Sequence, residues 1–324
     1  MGQLHDSSDI SMSSLPADFV VTHEHQRFAE FCDACRRYRY IGLCYGAPGV
    51  GKSLSAQHYA NWCHLQAYEP YTMTSVADFA TVAGSTTVFY TPDVVNAPRR
   101  IAQDIDIQRH QLRMVAVAAW LQEQRVQYQV RKQEEALMPP KRIASPRRQN
   151  GNVVQIYEAA TLPEADIAKT YAQQRATMPD PTDLIIIDEA DRLKTASLEQ
   201  VRDIFDQSEL GLVLIGMPGL EKRLSRYPQL YSRVGFVHAF RPLRARDVRE
   251  LLQGQWHPPG VVLPKEGVRD EAALAAIIRV TGGNFRLLHR LLTQIARLVE
   301  INALQTITSE VVEAARESLV IGTA

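Results

Sequence analysis

No stretch of this sequence approaches the roughly 18 consecutive apolar residues that a membrane-spanning helix needs. Residues 1–16 are polar and serine-rich, without the apolar core of an export signal, so residence in the cytoplasm, off the membrane, is the expectation. Net charge is also missing: Lys+Arg and Asp+Glu stand at 36 each, so no overall basic field announces a nucleic-acid partner, and any such surface has to be a local patch. Cysteine is scarce, with four in 324 residues, which favours reduced thiols over a disulfide framework. Apolar residues, by contrast, make up 45% of the chain, enough to bury the core of one large or two modest domains.

The strongest local signal is Gly46-Ala47-Pro48-Gly49-Val50-Gly51-Lys52-Ser53, which meets every fixed position of the phosphate-binding loop G-x-x-x-x-G-K-[ST]. Residues 40–45 before it read as a short buried strand. From Leu54 onward, Ser55, Ala56, Tyr59, Ala60 and Trp62 read as a helix, which completes the order strand, loop, helix. Glycines let the backbone turn tightly enough for successive N–H groups to converge on phosphate oxygens, and the helix amino terminus adds a partial positive charge. The expected ligand is a nucleoside triphosphate held by Gly46 through Leu54, with Lys52 on the β- and γ-phosphates and the Ser53 hydroxyl on Mg2+.

A second element agrees. Leu184-Ile185-Ile186-Ile187 is an aliphatic run too short for a helix and ends in Asp188-Glu189, so it reads as a central parallel strand delivering two carboxylates to the place where α/β ligands bind. Asp188 would hold Mg2+, and Glu189 would polarise the water that attacks the γ-phosphate. The other reading, acidic N-caps for a helix beginning near Ala190, weakens beside the P-loop. Asp188-Glu189-Ala190-Asp191 also spells the helicase motif DEAD. However, Ile215-Gly216-Met217-Pro218 stands where that family's Ser-Ala-Thr would fall, and no His-Arg-x-Gly-Arg follows, so the helicase reading is rejected.

Strands are expected at 41–45, 87–90, 184–187 and 211–216, with a short edge at 235–240. Their alternation with helices implies a parallel, doubly wound sheet. The expected organisation is a flexible tail to residue 22, a nucleotide-binding α/β domain over 23–240, and a small all-helical lid over 241–324. The lid would consist of helices at 246–255, 270–281, 285–301 and 309–319, with at most a strand at 261–263. Asn284, after Gly282-Gly283, would cap a helix whose first turn presents Arg286. Residues 91–180 exceed a simple crossover and must hold an insertion. Its first part, 97–133, is helical in spacing, while prolines and basic residues over 138–151 exclude regular structure. That basic segment, which includes Arg147 and Arg148, is either a phosphate-backbone contact or a solvated excursion. His23, His25, Cys32 and Cys35 could in principle hold zinc, but Phe28, Phe31, Cys32 and Cys35 share one helical face, which favours a core role.

The P-loop, the Asp-Glu strand end and a lid opening with Gly-Gly-Asn-x-Arg together resemble the AAA+ ATPases. Within that superfamily the run Leu184 to Leu193, then Val201-Arg202-Asp203-Ile204, then Leu214 to Leu220, looks like the transposition regulators TniB, TnsC and MuB. The resemblance implies an ATP- and Mg2+-dependent ATPase that oligomerises on double-stranded DNA in its ATP state and recruits or activates a transposase. It also implies a trans arginine before the last core strand, for which Arg233 fits best and Arg226 is the rival, and a γ-phosphate contact from Arg286 within its own subunit. Met217 stands where the superfamily places a water-orienting polar residue, so hydrolysis is expected to be slow.

Overall fold

The computed structural model describes residues 19–67, 76–137, 147–149, 152–154, 173–254, 256–258, 260–264, 267–268 and 270–319. Most of the expected tail and of the basic segment 138–151 lies outside them. The chain divides into two compact units. One holds the described parts of Met1–Gln66, Thr87–Asp104 and Asp183–Ala324; the other holds those of Ala67–Thr86 and Ile105–Thr182.

In the first unit, strands β1 (Ile41–Tyr45), β2 (Thr87–Tyr90), β5 (Leu184–Ile187), β6 (Gly211–Gly216) and β7 (Val234–Ala239) form a parallel sheet in the order β2-β5-β6-β1-β7. The strand leading to the P-loop thus lies between two others, with Leu43 opposite Leu214 on β6 and Val237 on β7. β2, β5 and β6 are buried along their whole length, which explains why β5 and β6 are unbroken apolar runs rather than alternating ones. Helix α1 (His23–Tyr38) begins where the Thr22 hydroxyl accepts from His25 N at 3.1 Å and ends at Arg39 in the left-handed region. Its inner face is Phe28, Phe31, Cys32 and Cys35, all inside the sheet's core, and burial pushes the Cys35 thiol up to about 12. The two cysteines therefore serve as small apolar side chains. A Cβ at Gly42 would strike Cys35 Sγ, so glycine is what lets α1 lie this close to β1.

The helix after the P-loop is shorter than expected. α2 (Lys52–Tyr59) stops before Asn61, whose φ is 51°, and α3 (Trp62–Ala67) follows. After β5 there is only a single 3-10 turn, Ala190–Arg192, before α6 (Thr195–Asp206), so Asp188 and Glu189 do not cap an α-helix. Short helices α7 (Leu220–Leu224) and α8 (Pro228–Tyr231) lead to β7. Four helices complete the unit: α9 (Ala245–Gln253), α10 (Glu271–Thr281), α11 (Phe285–Ile301) and α12 (Ser309–Glu317). They close around Val248, Leu252, Leu274, Ile277, Leu288, Leu291, Leu292, Ile295 and Val312. Residues 261–263 pair with no strand among the described residues.

In the second unit lie α4 (Val76–Ala83) and most of α5 (Pro98–Leu137), which runs to Leu137 rather than 133. Arg109 pairs with Asp180 there, Nε to Oδ2, at 2.7 Å. The expectation that 138–151 excludes regular structure fails in part, because β3 (Arg147–Gln149) pairs antiparallel with β4 (Asn152–Val154). The reason is in the sequence between them: Asn150-Gly151 is the dipeptide most favoured in two-residue hairpins, and it outweighs the basic flanks.

Candidate nucleotide site

A cavity of about 960 Å³ opens within the first unit around the carboxyl ends of β5 and β6 and the loop that follows β1. Lys52, Ser53, Leu54, Asp188, Glu189 and Arg286 all line it, together with Pro48, Gly49, Val50 and Gly51. This is where ligands of open parallel sheets collect.

The loop is shaped by its glycines. Gly49 has φ 79° and Gly51 φ 108°, conformations that carry a penalty for any side chain. A Cβ on Gly49 would also lie 2.7 Å from Asn284 Oδ1 and from Arg286 Cβ. Gly46 N donates to Gly216 O at 3.4 Å, which ties the loop to β6, and Val50 is buried in the core. Lys52 Nζ donates to the carbonyls of Gly46 at 2.7 Å and Ala47 at 2.9 Å. Burial lowers its pKa, with Cys44 and Asp188 opposing, so the ammonium is short of solvation and a phosphate would supply what it lacks.

Asp188 continues the sheet, its N–H donating to Tyr90 O at 2.8 Å. The residue is 5% exposed, and its carboxylate accepts from Glu189 N at 2.9 Å and forms no ion pair among the described residues. A buried carboxylate without an ion pair, lining the same cavity as the Ser53 hydroxyl, is an oxygen donor set of the kind hard divalent cations take. Glu189 has φ 48° and ψ 42°, and such left-handed non-glycine residues gather at functional sites. Its carboxylate is ion-paired with Arg192.

The lid touches the loop directly. Asn284 Oδ1 caps α11 by accepting from Arg286 N at 3.0 Å and Leu287 N at 3.2 Å, while its Nδ2 donates to Pro48 O at 2.8 Å. Arg286 N also donates to Gly49 O at 3.0 Å. Met217 lines the cavity with its side chain exposed, and its N–H donates to Asp191 Oδ2 at 2.6 Å. Arg233 is not brought to the cavity. Its guanidinium forks onto Asp206, with Nη2 to Oδ2 at 2.7 Å, and also bonds the Gln229 carbonyl. Arg226 is exposed and has no side-chain partner among the described residues.

Nothing in the sequence singles out Asp191 or Arg192 as lining the site, or Asn96 as the residue that bonds the Arg192 carbonyl. Nor does it mark the aromatic end of the cavity, where Phe19 stacks on His58 at 3.8 Å and His25 meets Phe19 edge-on at 4.7 Å. His25 is buried with Nδ1 unsatisfied, and burial, assisted by His58, lowers its pKa to about 4.

Comparison with known proteins agrees with this geometry. Residues 35–224, more than half of the chain, match the AAA domain. A Staphylococcus aureus protein described as a potential ATP-binding protein is 39% identical over 311 residues, covering 94% of this chain and 97% of the relative. Solved structures found by comparison include the Thermotoga maritima RuvB Holliday junction branch migration motor, 14% identical with a TM-score of 0.48 over 94% of this chain and 71% of that one. The Aeropyrum pernix ORC1 protein in complex with DNA is 18% identical, with a TM-score of 0.46 over 92% and 66%. No described helix is long and apolar enough to cross a membrane. With the AAA domain matched across its P-loop, its Asp-Glu strand end and the strand that follows, the chain belongs to the AAA+ ATPases.

Proposed function

We propose that this chain is a Mg2+-dependent ATPase that assembles on duplex DNA in its ATP state and there regulates a transposase. The observation that carries the ATPase reading is the convergence of Lys52, Ser53, Asp188 and Glu189 on one cavity. Lys52 would exchange its two carbonyl partners for β- and γ-phosphate oxygens. Ser53 and Asp188 would hold Mg2+, which when bound neutralises phosphate charge. Glu189 takes a proton from water as the water oxygen bonds to the γ-phosphorus and the bond from that phosphorus to the β,γ-bridging oxygen breaks, leaving ADP and inorganic phosphate. The Met217 side chain offers only a weakly accepting thioether to orient that water, which supports slow turnover.

The DNA and transposase parts rest on the resemblance of the Asp188 to Leu193 run and its downstream partners to TniB, TnsC and MuB. One surface supports a polyanion partner. Arg290 and Arg297 are exposed two turns apart on α11 and have no ion pair among the described residues, whereas Arg279 and Arg316 on the flanking helices both pair with Glu313. Arg147 and Arg148, on β3, are a second candidate contact. Arg233, once released from Asp206, or the unpaired Arg226 would complete a neighbour's site.

Turnover and assembly size measured with and without duplex DNA test the reading. ATP is expected to produce salt-sensitive oligomers on DNA. Lys52→Ala should abolish nucleotide binding, while Glu189→Gln binds ATP without turning it over. Nucleotide-independent behaviour, or no DNA binding at low salt with ATP present, would overturn the DNA part and favour a switch that acts on a protein partner.

A further inference from the structure

The bond at the end of β6 leaves a carboxylate half used. Asp191 Oδ2 accepts from Met217 N at 2.6 Å, while Oδ1 bonds nothing among the described residues, and the side chain lines the cavity that Lys52, Asp188 and Glu189 also line. Its place is fixed twice over. Arg223, on α7, donates from its guanidinium to the Asp191 and Leu193 carbonyls and so clamps the turn Ala190–Arg192. Gly216, the last residue of β6, leaves the room, since a Cβ there would lie 2.5 Å from Asp191 Oδ2. The charge of Asp191 also reaches the phosphate seat: burial lowers the Lys52 pKa, and Asp191 opposes it after Cys44 and Asp188.

Hydrolysis asks for such a group. A water that attacks phosphorus has two O–H bonds, and its lone pair faces the γ-phosphate only when both are directed elsewhere. Glu189 takes one proton in the proposal above, so the second needs an acceptor of its own. The Met217 thioether is a weak acceptor, whereas a carboxylate oxygen is a strong one. Asp191 Oδ1 is such an oxygen, two residues from Glu189 and lining the same cavity.

We propose that Asp191 accepts the second O–H of the attacking water and, with Glu189, aims its oxygen at the γ-phosphorus, so that the turnover Met217 leaves depends on Asp191. The inference rests on Glu189 being the general base. One proton passes to Glu189 as the oxygen–phosphorus bond forms. The other stays on that oxygen and leaves with the inorganic phosphate, so Asp191 orients the water without being protonated by it.

The test is single-turnover hydrolysis of ATP with Mg2+ by the full chain in excess, alongside ATP affinity by calorimetry and thermal melting, for wild type, Asp191→Asn, Asp191→Ala and Glu189→Gln. Asparagine separates the two uses of the side chain. Its one oxygen has to face the Met217 N–H, since the amide nitrogen there would set donor against donor, so an NH2 group replaces Oδ1 in the cavity. Asp191→Asn should therefore melt like wild type and bind ATP within about threefold, or more tightly for the lost negative charge, yet hydrolyse it at least about tenfold more slowly. Asp191→Ala should lose the same rate and also melt lower, because the bond to Met217 goes with it. A smaller loss of rate in Asp191→Asn overturns the proposal, because the carboxylate then only holds the end of β6. A larger loss of ATP affinity in Asp191→Asn also overturns it, by assigning the group to binding. If Asp191→Ala does not melt cooperatively, Asp191→Asn decides by the same criteria. Undiminished hydrolysis by Glu189→Gln would instead refute the general-base reading beneath it.

Discussion

On the β1 side of the cleft, the groups that would meet a phosphate are held by main chain. Gly49 and Gly51 sit in the left-handed region, Gly46 is tied to Gly216, and Lys52 is folded back onto two backbone carbonyls. On the β5 side the corresponding groups are held through side chains: Glu189 by Arg192, Arg192 through its guanidinium on the Pro92 carbonyl and through its own carbonyl on Asn96, Asn96 by Ser197. A backbone seat depends on local residue types and tolerates almost no substitution. A side-chain network depends on residues far apart in sequence, and its members can be exchanged one at a time with graded effects. The first suits binding, which has to be present or absent; the second suits a rate that has to be adjustable.

The sharpest way to break this contrast is on the backbone side. Gly49→Val forces a β-branched residue into φ 79° and against Asn284 and Arg286, and should lower ATP affinity at least about a hundredfold, read by titration calorimetry. Near-normal affinity would show that the glycine geometry is not what forms the seat.

A smaller effect belongs to the aromatic end. His25 has a folded pKa near 4 against about 6.5 when unfolded, so between those values the unfolded chain binds more protons and stability rises with pH. Stability should therefore fall as pH drops from about 6.5 towards 4, by at most about 3 kcal/mol from this group. His58, also lowered by burial, adds in the same direction. Denaturant melts of wild type and His25→Phe across that range check it, the variant being expected to show the shallower dependence. Parallel curves would assign the acid sensitivity elsewhere.

The smallest change tests where the two constructions meet. Asn284→Ala removes the cap of α11 and the bond to Pro48 together and should cost about 1–2 kcal/mol, a melting shift of a few degrees. ATP affinity should fall less than tenfold. A loss as large as that expected for Gly49→Val would mean that the lid, and not the loop, carries the binding.

The same contrast governs what could be read in advance. The P-loop, the buried strands β1, β5 and β6, and the capping role of Asn284 are local patterns, visible because burial on both faces leaves an unbroken apolar run and because tight turns need glycine. Asn96, 96 positions before Arg192, carries no pattern at all, and its importance arises only when β2 and β5 are neighbours. Asp191 looked like one letter of a motif and proves to hold the end of β6 through Met217 N. The β3–β4 hairpin was hidden by its basic composition, although Asn150-Gly151 was the better guide. The sequence marks Arg233 only by its position before β7, and its pairing with Asp206 depends on how α6 and β7 approach each other, which spacing does not encode.

The bond from Arg286 N to the Gly49 carbonyl joins the first turn of a lid helix to the phosphate loop through a single proton. That proton is shared with the Asn284 cap, so it exchanges with solvent only when it has left both acceptors, and its deuterium uptake sets a lower bound on the separations of lid and loop. One amide thus serves as a clock for the opening of the cleft, and its slowing or quickening on adding nucleotide would tell whether ATP draws the lid down or displaces it.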